Sequence, residues 1–229
     1  MVDNDALKSL LNERKAIKHS VSEQEWTARV ELAACYRLIA HFRMTDWIYN
    51  HISARVPGDH EHYLINPFGL LYEEVSASNL VKVDVHGRLS EDVGLDVNPA
   101  AFVIHGAIHA ARPEVGCVLH THSLAQTLAS KLYAGAGHIR FEEYELIKAF
   151  RGQETHEAVM DVPVLANNQH IPTLAAQVDV LLDKKEFWGY LIEGHGLYAW
   201  GRDMAEARRH LDAFELLINC ELEMRKLHR

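Results

Sequence analysis

The chain has 229 residues, enough to bury a full core, and one domain of this size is ordinary. Hydrophobic residues make up 48% and charged residues 24%, with a mean hydropathy of −0.15; no apolar run approaches the roughly 20 residues of a membrane helix, so no membrane partner is expected. The net charge of −9, with no basic stripe to offset it, argues against nucleic acid as a main partner. Residues 1–20 are polar and charged and lack the apolar stretch of a signal peptide. Cys35, Cys117 and Cys220 are odd in number, widely spaced and set in apolar contexts, which suits buried reduced thiols rather than disulfides. A cytoplasmic protein is expected.

No internal repeat, low-complexity block or proline-rich linker divides the chain. Residues 21–229 are therefore read as a single domain behind a loosely held polar arm, residues 1–20. Ser22 with Glu25 three residues on is a capping-box pattern. It predicts a helix whose apolar face includes Val30, Ala33, Ala34, Leu38 and Ile39. Segments 48–56 and 61–66 follow, closed by the turn signal Pro67-Phe68-Gly69. Residues 80–85 alternate like a half-buried strand that ends at His86-Gly87. A helix is expected over 99–111, stopped by Arg112-Pro113, then a strand into His120 and a helix over 124–132. A short helix over 142–150 and a short strand over 162–165 come next. Residues 171–182 read as a helix with Pro172 in its tolerant first turn. Two strands, 188–192 and 197–200, flank Gly194-His195-Gly196. A long amphipathic helix capped by Asp203 occupies 204–227. Strands mixed irregularly with helices indicate an α/β domain.

Sixteen histidines is a high number, so the number alone nominates none. The arrangement of three of them does. His120 and His122 are one residue apart at the end of the apolar run Gly116-Cys117-Val118-Leu119, and alternate side chains of a strand share a side. A third imidazole from the glycine-flanked His195 could complete a three-histidine Zn2+ site with one open position, the mark of a catalytic metal rather than a structural one. The bland alternative is a histidine pair at a solvated strand edge. His105 and His109, four apart on one helix face, read as satisfied core histidines or as a second polar cluster. Tyr198, Trp200 and Cys117 read as packing residues. Arg202, Arg208 and Arg209 read as a solvated or intersubunit face, with cations for a substrate as the alternative.

Val118-Leu119-His120-Thr121-His122-Ser123, taken with Glu193-Gly194-His195-Gly196-Leu197-Tyr198-Ala199-Trp200-Gly201, resembles the class II aldolase/adducin family over roughly residues 25–225. The resemblance implies an α/β fold, a three-layer α/β/α sandwich with a mostly antiparallel central sheet, and assembly as a homotetramer. It also implies zinc on His120, His122 and His195. The two halves resemble different branches, a mosaic pattern. Residues 50–117 look adducin-like in Asn50-His51-Ile52-Ser53-Ala54-Arg55-Val56-Pro57, Leu64-Ile65-Asn66-Pro67-Phe68-Gly69 and Val97-Asn98-Pro99-Ala100. Residues 142–225 resemble bacterial methylthioribulose-1-phosphate dehydratases in Tyr144-Glu145-Leu146, Lys148-Ala149-Phe150, the stretch 152–157 and the stretch 201–211.

From the dehydratase branch, Glu145 is implied as the acid/base carboxylate; the alternative is a solvated helix residue beside Glu142 and Glu143. Sugar-phosphate members of the family bind phosphate through a Ser/Thr-Gly-Asn turn and a Pro-Ser-Gly turn, whose N–H groups suit an anion. Here Ile48-Tyr49-Asn50 and Asn66-Pro67-Phe68-Gly69 stand in those places, and Ala101 stands where the family has a glutamate. Asn50, Ser53 and Gly69 remain as candidate substrate contacts. The expected activity is a zinc-dependent lyase acting on a small hydroxy-ketone, most specifically methylthioribulose-1-phosphate dehydration in methionine salvage. A class II aldolase cleaving a small carbonyl substrate, and a non-catalytic adducin-like assembly module, are the alternatives.

Overall fold

The computed structural model describes residues 17–84, 86–90, 99–168, 170–183 and 187–227. Of the expected N-terminal arm, this takes in residues 17–20, which are helical. Residues 1–16, and Val97-Asn98 of the adducin-like stretch, lie outside the described residues.

Helix α1, Glu23–His41, begins at the expected cap, where Ser22 Oγ accepts a 3.1 Å hydrogen bond from the Glu25 N–H. Its inward face matches the expected one at Ala33 and Ile39 but not at Val30, Ala34 and Leu38. Val30 and Leu38 are exposed, while Leu32, Tyr36 and Ile39 are buried at helical spacing. Glu25 and Arg29 are also buried, joined by a 2.9 Å ion pair, with Lys82 Nζ 2.6 Å from the other Glu25 oxygen. Charged residues paired on the inward face disguise it from a reading that follows apolar positions alone.

Among the described residues the strands are β1 His51–Arg55, β2 His62–Ile65, β3 Val81–Asp84, β4 Cys117–Thr121, β5 His138–Phe141, β6 Met160–Leu165, β7 Gly189–Ile192 and β8 Leu197–Gly201. They form one sheet in the order β3-β2-β1-β4-β8-β7-β6-β5. Strands β6 and β7 pair parallel beside antiparallel neighbours, so the sheet expected as mostly antiparallel is a mixed one. Strand β5 has no counterpart in the sequence reading, and the helix expected over 142–150 is a 3-10 turn, Glu145–Ala149. Four residues on a sheet edge carry too little alternation to announce a strand.

The remaining helices are α2 Pro99–Ala111, α3 Leu124–Tyr133, α4 Ile171–Leu182 and α5 Met204–Leu227. Strands β4 and β8 are buried at every position because both faces of the sheet centre are covered. Period-2 alternation divides their side chains between two apolar clusters. Leu119, Leu197 and Ala199 pack with Tyr36 of α1 and Phe214 of α5. Val118, Tyr198 and Trp200 pack with Ile108 of α2 and Val178 of α4. Each such side chain contributes about 1.5–3 kcal/mol relative to exposure, so the sheet centre is a firm base for the histidines it carries. All three cysteines are free; Cys35 and Cys117 are buried and Cys220 is half-buried. No helix among the described residues is long and apolar enough to cross a membrane.

Candidate metal centre

The apolar run of β4 carries His120 to the far end of the strand, opposite Tyr198 of β8, whose ring stacks on it at 3.9 Å between centroids. His195 sits in the turn that returns β7 into β8. Gly194 takes a φ of +61°, and a Cβ on Gly196 would lie 2.2 Å from the Thr121 carbonyl oxygen and 2.5 Å from His122 Cδ2. The Gly-His-Gly sequence therefore lets the turn close against the end of β4. Helix α3 pins the turn: Thr127 Oγ1 donates to the His195 carbonyl at 2.9 Å, and the Gly194 N–H donates to Ser130 Oγ at 3.0 Å.

The result brings three imidazoles together. His120 Nε2 lies 2.7 Å from His122 Nε2 and 3.1 Å from His195 Nε2. Among the described residues this is the group of ligand atoms close enough to hold a metal ion. His120 Nδ1 donates to the Leu197 carbonyl at 3.0 Å, and His122 Nδ1 to Asp46 Oδ1 at 2.6 Å. In neutral His120 and His122 rings the proton is thus on Nδ1, and their Nε2 atoms are lone pairs that face each other. Lone pairs so close repel, and a cation among them turns repulsion into ligation. Tetrahedral zinc at about 2.0–2.1 Å from each nitrogen sets its ligands about 3.3 Å apart, near the spacing here. The donor set fits zinc with one position open.

Burial, then the His122 charge, keeps His120 well below the ordinary imidazole pKa, with the Leu197 carbonyl opposing in part. Burial and His122 likewise lower His195 to about 4. Burial works against ionisation of Asp46, but the hydrogen bond from His122, the His122 charge and Asn50 outweigh it and hold the carboxyl below its usual value. Neutral rings at His120 and His195, with a carboxylate behind His122, suit a metal ion.

Asn50 is buried, and its Nδ2 donates to Asp46 twice, at 2.6 Å to the carbonyl and 3.0 Å to Oδ1. Its Oδ1 is buried without a partner, an open acceptor beside the Asp46–His122 pair. Gly69 stands in an exposed turn at φ +90° with open space around it. Ser53 is turned inward rather than toward a substrate. It is fully buried, and its Oγ lies 2.7 Å from His105 Nδ1 and 2.8 Å from His109 Nε2. His105 Nε2 continues to His51 Nδ1 at 2.8 Å, so the second polar cluster exists and its core histidines are satisfied.

Glu145 is not brought to the histidines within the protomer. Its side chain is 75% exposed and lies 2.6 Å from Lys148 Nζ and 3.9 Å from His156. The hydrogen bond from Lys148 holds its carboxyl below the usual range. Arg202 and Arg209 pair with Glu206, and Arg208 with Asp212, so these cations are engaged by carboxylates of α5. Sequence reasoning missed Asp46 and His51. Asp46 lies in an irregular segment where Arg43 and Trp47 take φ of 57° and 47°, and no periodicity marks it. The sign available for His51 was its place beside Asn50 at the head of a strand.

A model of the class II aldolase and adducin N-terminal domain matches residues 30–222. The chain belongs to that family. A methylthioribulose-1-phosphate dehydratase of Xanthomonas euvesicatoria pv. vesicatoria is 52% identical over 197 residues, covering 86% of this chain and 88% of that protein. A dehydratase of the same name from Stenotrophomonas maltophilia is 53% identical over 171 residues, 74% of this chain and 79% of its own. A match of 197 residues extends well beyond residues 142–225, so likeness to the dehydratases reaches into the first half also. Among solved structures, an aldolase II superfamily protein from Pseudomonas syringae superposes with a TM-score of 0.77 at 38% identity, covering 92% of this chain and 81% of that one. An L-fuculose 1-phosphate aldolase from Glaciozyma antarctica gives 0.68 at 26%, covering 86% and 73%. The class II aldolase fold frames the triad described above.

Proposed function

We propose that this chain is a zinc-dependent lyase that removes water from methylthioribulose 1-phosphate, a step of methionine salvage. The observation that carries the reading is the convergence of the His120, His122 and His195 ring nitrogens in a chain about half identical to dehydratases of that substrate. His120, His122 and His195 would hold the metal. Zinc, when bound, supplies a Lewis acid that polarises the substrate carbonyl and offsets the negative charge that develops beside it. The protein's own groups do the rest. The Leu197 carbonyl and Asp46 lock the tautomers of His120 and His122. The free Oδ1 of Asn50 accepts a hydrogen bond from a substrate hydroxyl, and the open turn at Gly69 leaves room for the far end of the substrate. Ser53 serves by holding histidines in place. Glu145 takes the proton next to the ketone and returns it to the departing β-hydroxyl, which leaves as water. Its pairing with Lys148 favours the carboxylate, the form that accepts the first proton.

The proposal takes the protein as a soluble cytoplasmic homotetramer, in which the exposed Glu145 is available to a neighbouring protomer. Residues 21–229 are taken as one domain, a three-layer α/β/α sandwich with α1, α3 and α5 on one face of the sheet and α2 and α4 on the other. The two apolar clusters support that layering. An aldol cleavage is the second reading. It is favoured by Ile48-Tyr49-Asn50 and Asn66-Pro67-Phe68-Gly69, which stand where sugar-phosphate members of the family have their phosphate turns. An assembly module without catalysis has no use for three aligned metal ligands. The test is mass spectrometry of zinc-loaded protein incubated with methylthioribulose 1-phosphate. Loss of one water is expected. Cleavage into two carbonyl fragments would establish the aldolase instead, and unchanged substrate would refute the dehydratase and favour an unphosphorylated aldol substrate or an assembly module.

A further inference from the structure

A buried chain of hydrogen bonds leads from a backbone carbonyl to the edge of the metal centre, and its polarity can be worked out link by link. His109 Nδ1 lies 3.3 Å from the Val115 carbonyl oxygen, which can only accept, so this nitrogen carries the proton. His109 Nε2 is then a lone pair and accepts from Ser53 Oγ at 2.8 Å. With its own proton committed, Ser53 Oγ accepts from His105 Nδ1 at 2.7 Å. His105 Nε2 is therefore a lone pair and accepts from His51 Nδ1 at 2.8 Å. Burial keeps both helix histidines neutral: it holds His105 well below the ordinary imidazole value and His109 at about 3. Protonation of either would break the order.

The chain ends at His51, on β1 directly opposite His120 of β4 and with its ring 4.6 Å from the His120 ring. His51 Nε2 must be a lone pair, and among the described residues no hydrogen bond fills it. We propose that His51 is a substrate contact: its Nε2 accepts a hydrogen bond from a hydroxyl of a hydroxy-ketone bound at the triad, and Ser53, His105 and His109 are positioning residues that hold it as an acceptor. A fixed acceptor there favours a substrate carrying a hydroxyl beside its carbonyl and disfavours one carrying an anionic group at that point. The substrate class rests on the lyase reading above; the order of the protons does not.

The test uses the zinc-loaded full chain with two readouts. Ring 15N spectra of labelled histidine, with and without dihydroxyacetone as the hydroxy-ketone probe, report which nitrogen of His51 is protonated. The expected result is an unprotonated Nε2 whose signal moves when dihydroxyacetone is added. His51→Phe should lower kcat/KM on methylthioribulose 1-phosphate about 100-fold at unchanged zinc content. Ser53→Ala, a milder change, should lower it about 10-fold and mix the two His51 tautomers, an effect a merely structural role would not produce. A proton on His51 Nε2 in the unaltered protein, no response to bound dihydroxyacetone, or wild-type kcat/KM in His51→Phe overturns the proposal. If the unaltered protein leaves methylthioribulose 1-phosphate intact, the dehydratase reading falls, and the spectra then decide His51 by themselves.

Discussion

Two clusters of buried histidines adjoin on one face of the sheet, and they differ in how their nitrogens are satisfied. In the chain from His109 through Ser53 and His105 to His51, every internal nitrogen has a partner of the opposite kind. In the triad the outward nitrogens of His120 and His122 are bound to a carbonyl and a carboxylate, which leaves lone pairs facing lone pairs. His120 and His122 are as buried as the members of the chain, while His195 is half-buried, so burial alone does not distinguish the clusters. Donor and acceptor accounting does: a completed chain is a support, and a cluster short of protons is a seat for a cation.

The sharpest way to break this comparison is to remove one histidine from each cluster. His120→Ala is expected to lose zinc and to lower product formation about 1,000-fold or more, while His105→Ala keeps its zinc. Elemental analysis of the two purified variants decides it; equal zinc in both would mean that the triad is not the seat. Glu145→Gln should keep zinc and slow turnover about 100-fold, as loss of the proton carrier requires. Turnover at the parent rate would remove Glu145 from the mechanism. Asp46→Asn should weaken zinc binding about 10–100-fold, measured by competition with a chelator, because His122 loses the carboxylate that fixes its tautomer.

The smallest effect concerns stability and pH. His109 titrates near 6.5 in the unfolded chain and at about 3 in the fold. Above about 6.5 the ring is neutral in both states and its contribution is complete. As the pH falls below that value, the unfolded chain takes up a proton that the fold refuses, and stability drops by about 1.4 kcal/mol per pH unit for such a group. Denaturant unfolding of the metal-free protein at pH 7, 6 and 5 should show this decline. A flat profile would mean that the chain of hydrogen bonds tolerates a charged ring.

Much of this was legible in residue order. Ser22 with Glu25, Pro99 to Ala111, and Met204 to Leu227 mark helices through caps and spacing that act within a few residues, and the structure has helices there. Other parts were not. The inward face of α1 was partly hidden by a buried Glu25–Arg29 pair whose partner Lys82 comes from a distant strand. Strand β5 was too short to alternate, and the turn bearing Glu145 gave a helix-like pattern without a helix.

By itself, the sequence nominated the three histidines that the fold brings together. Strand periodicity places His120 and His122 together, and only glycines allow the His195 turn to approach β4. The tertiary structure alone decided what surrounds them. Asp46 meets His122 through an irregular segment, and His51 meets His105 because α2 packs on the sheet. Such contacts join residues 54 or more positions apart, and no local pattern encodes them. Local periodicity sets which way a side chain points, but long-range packing sets what it meets there, and hence where its proton resides.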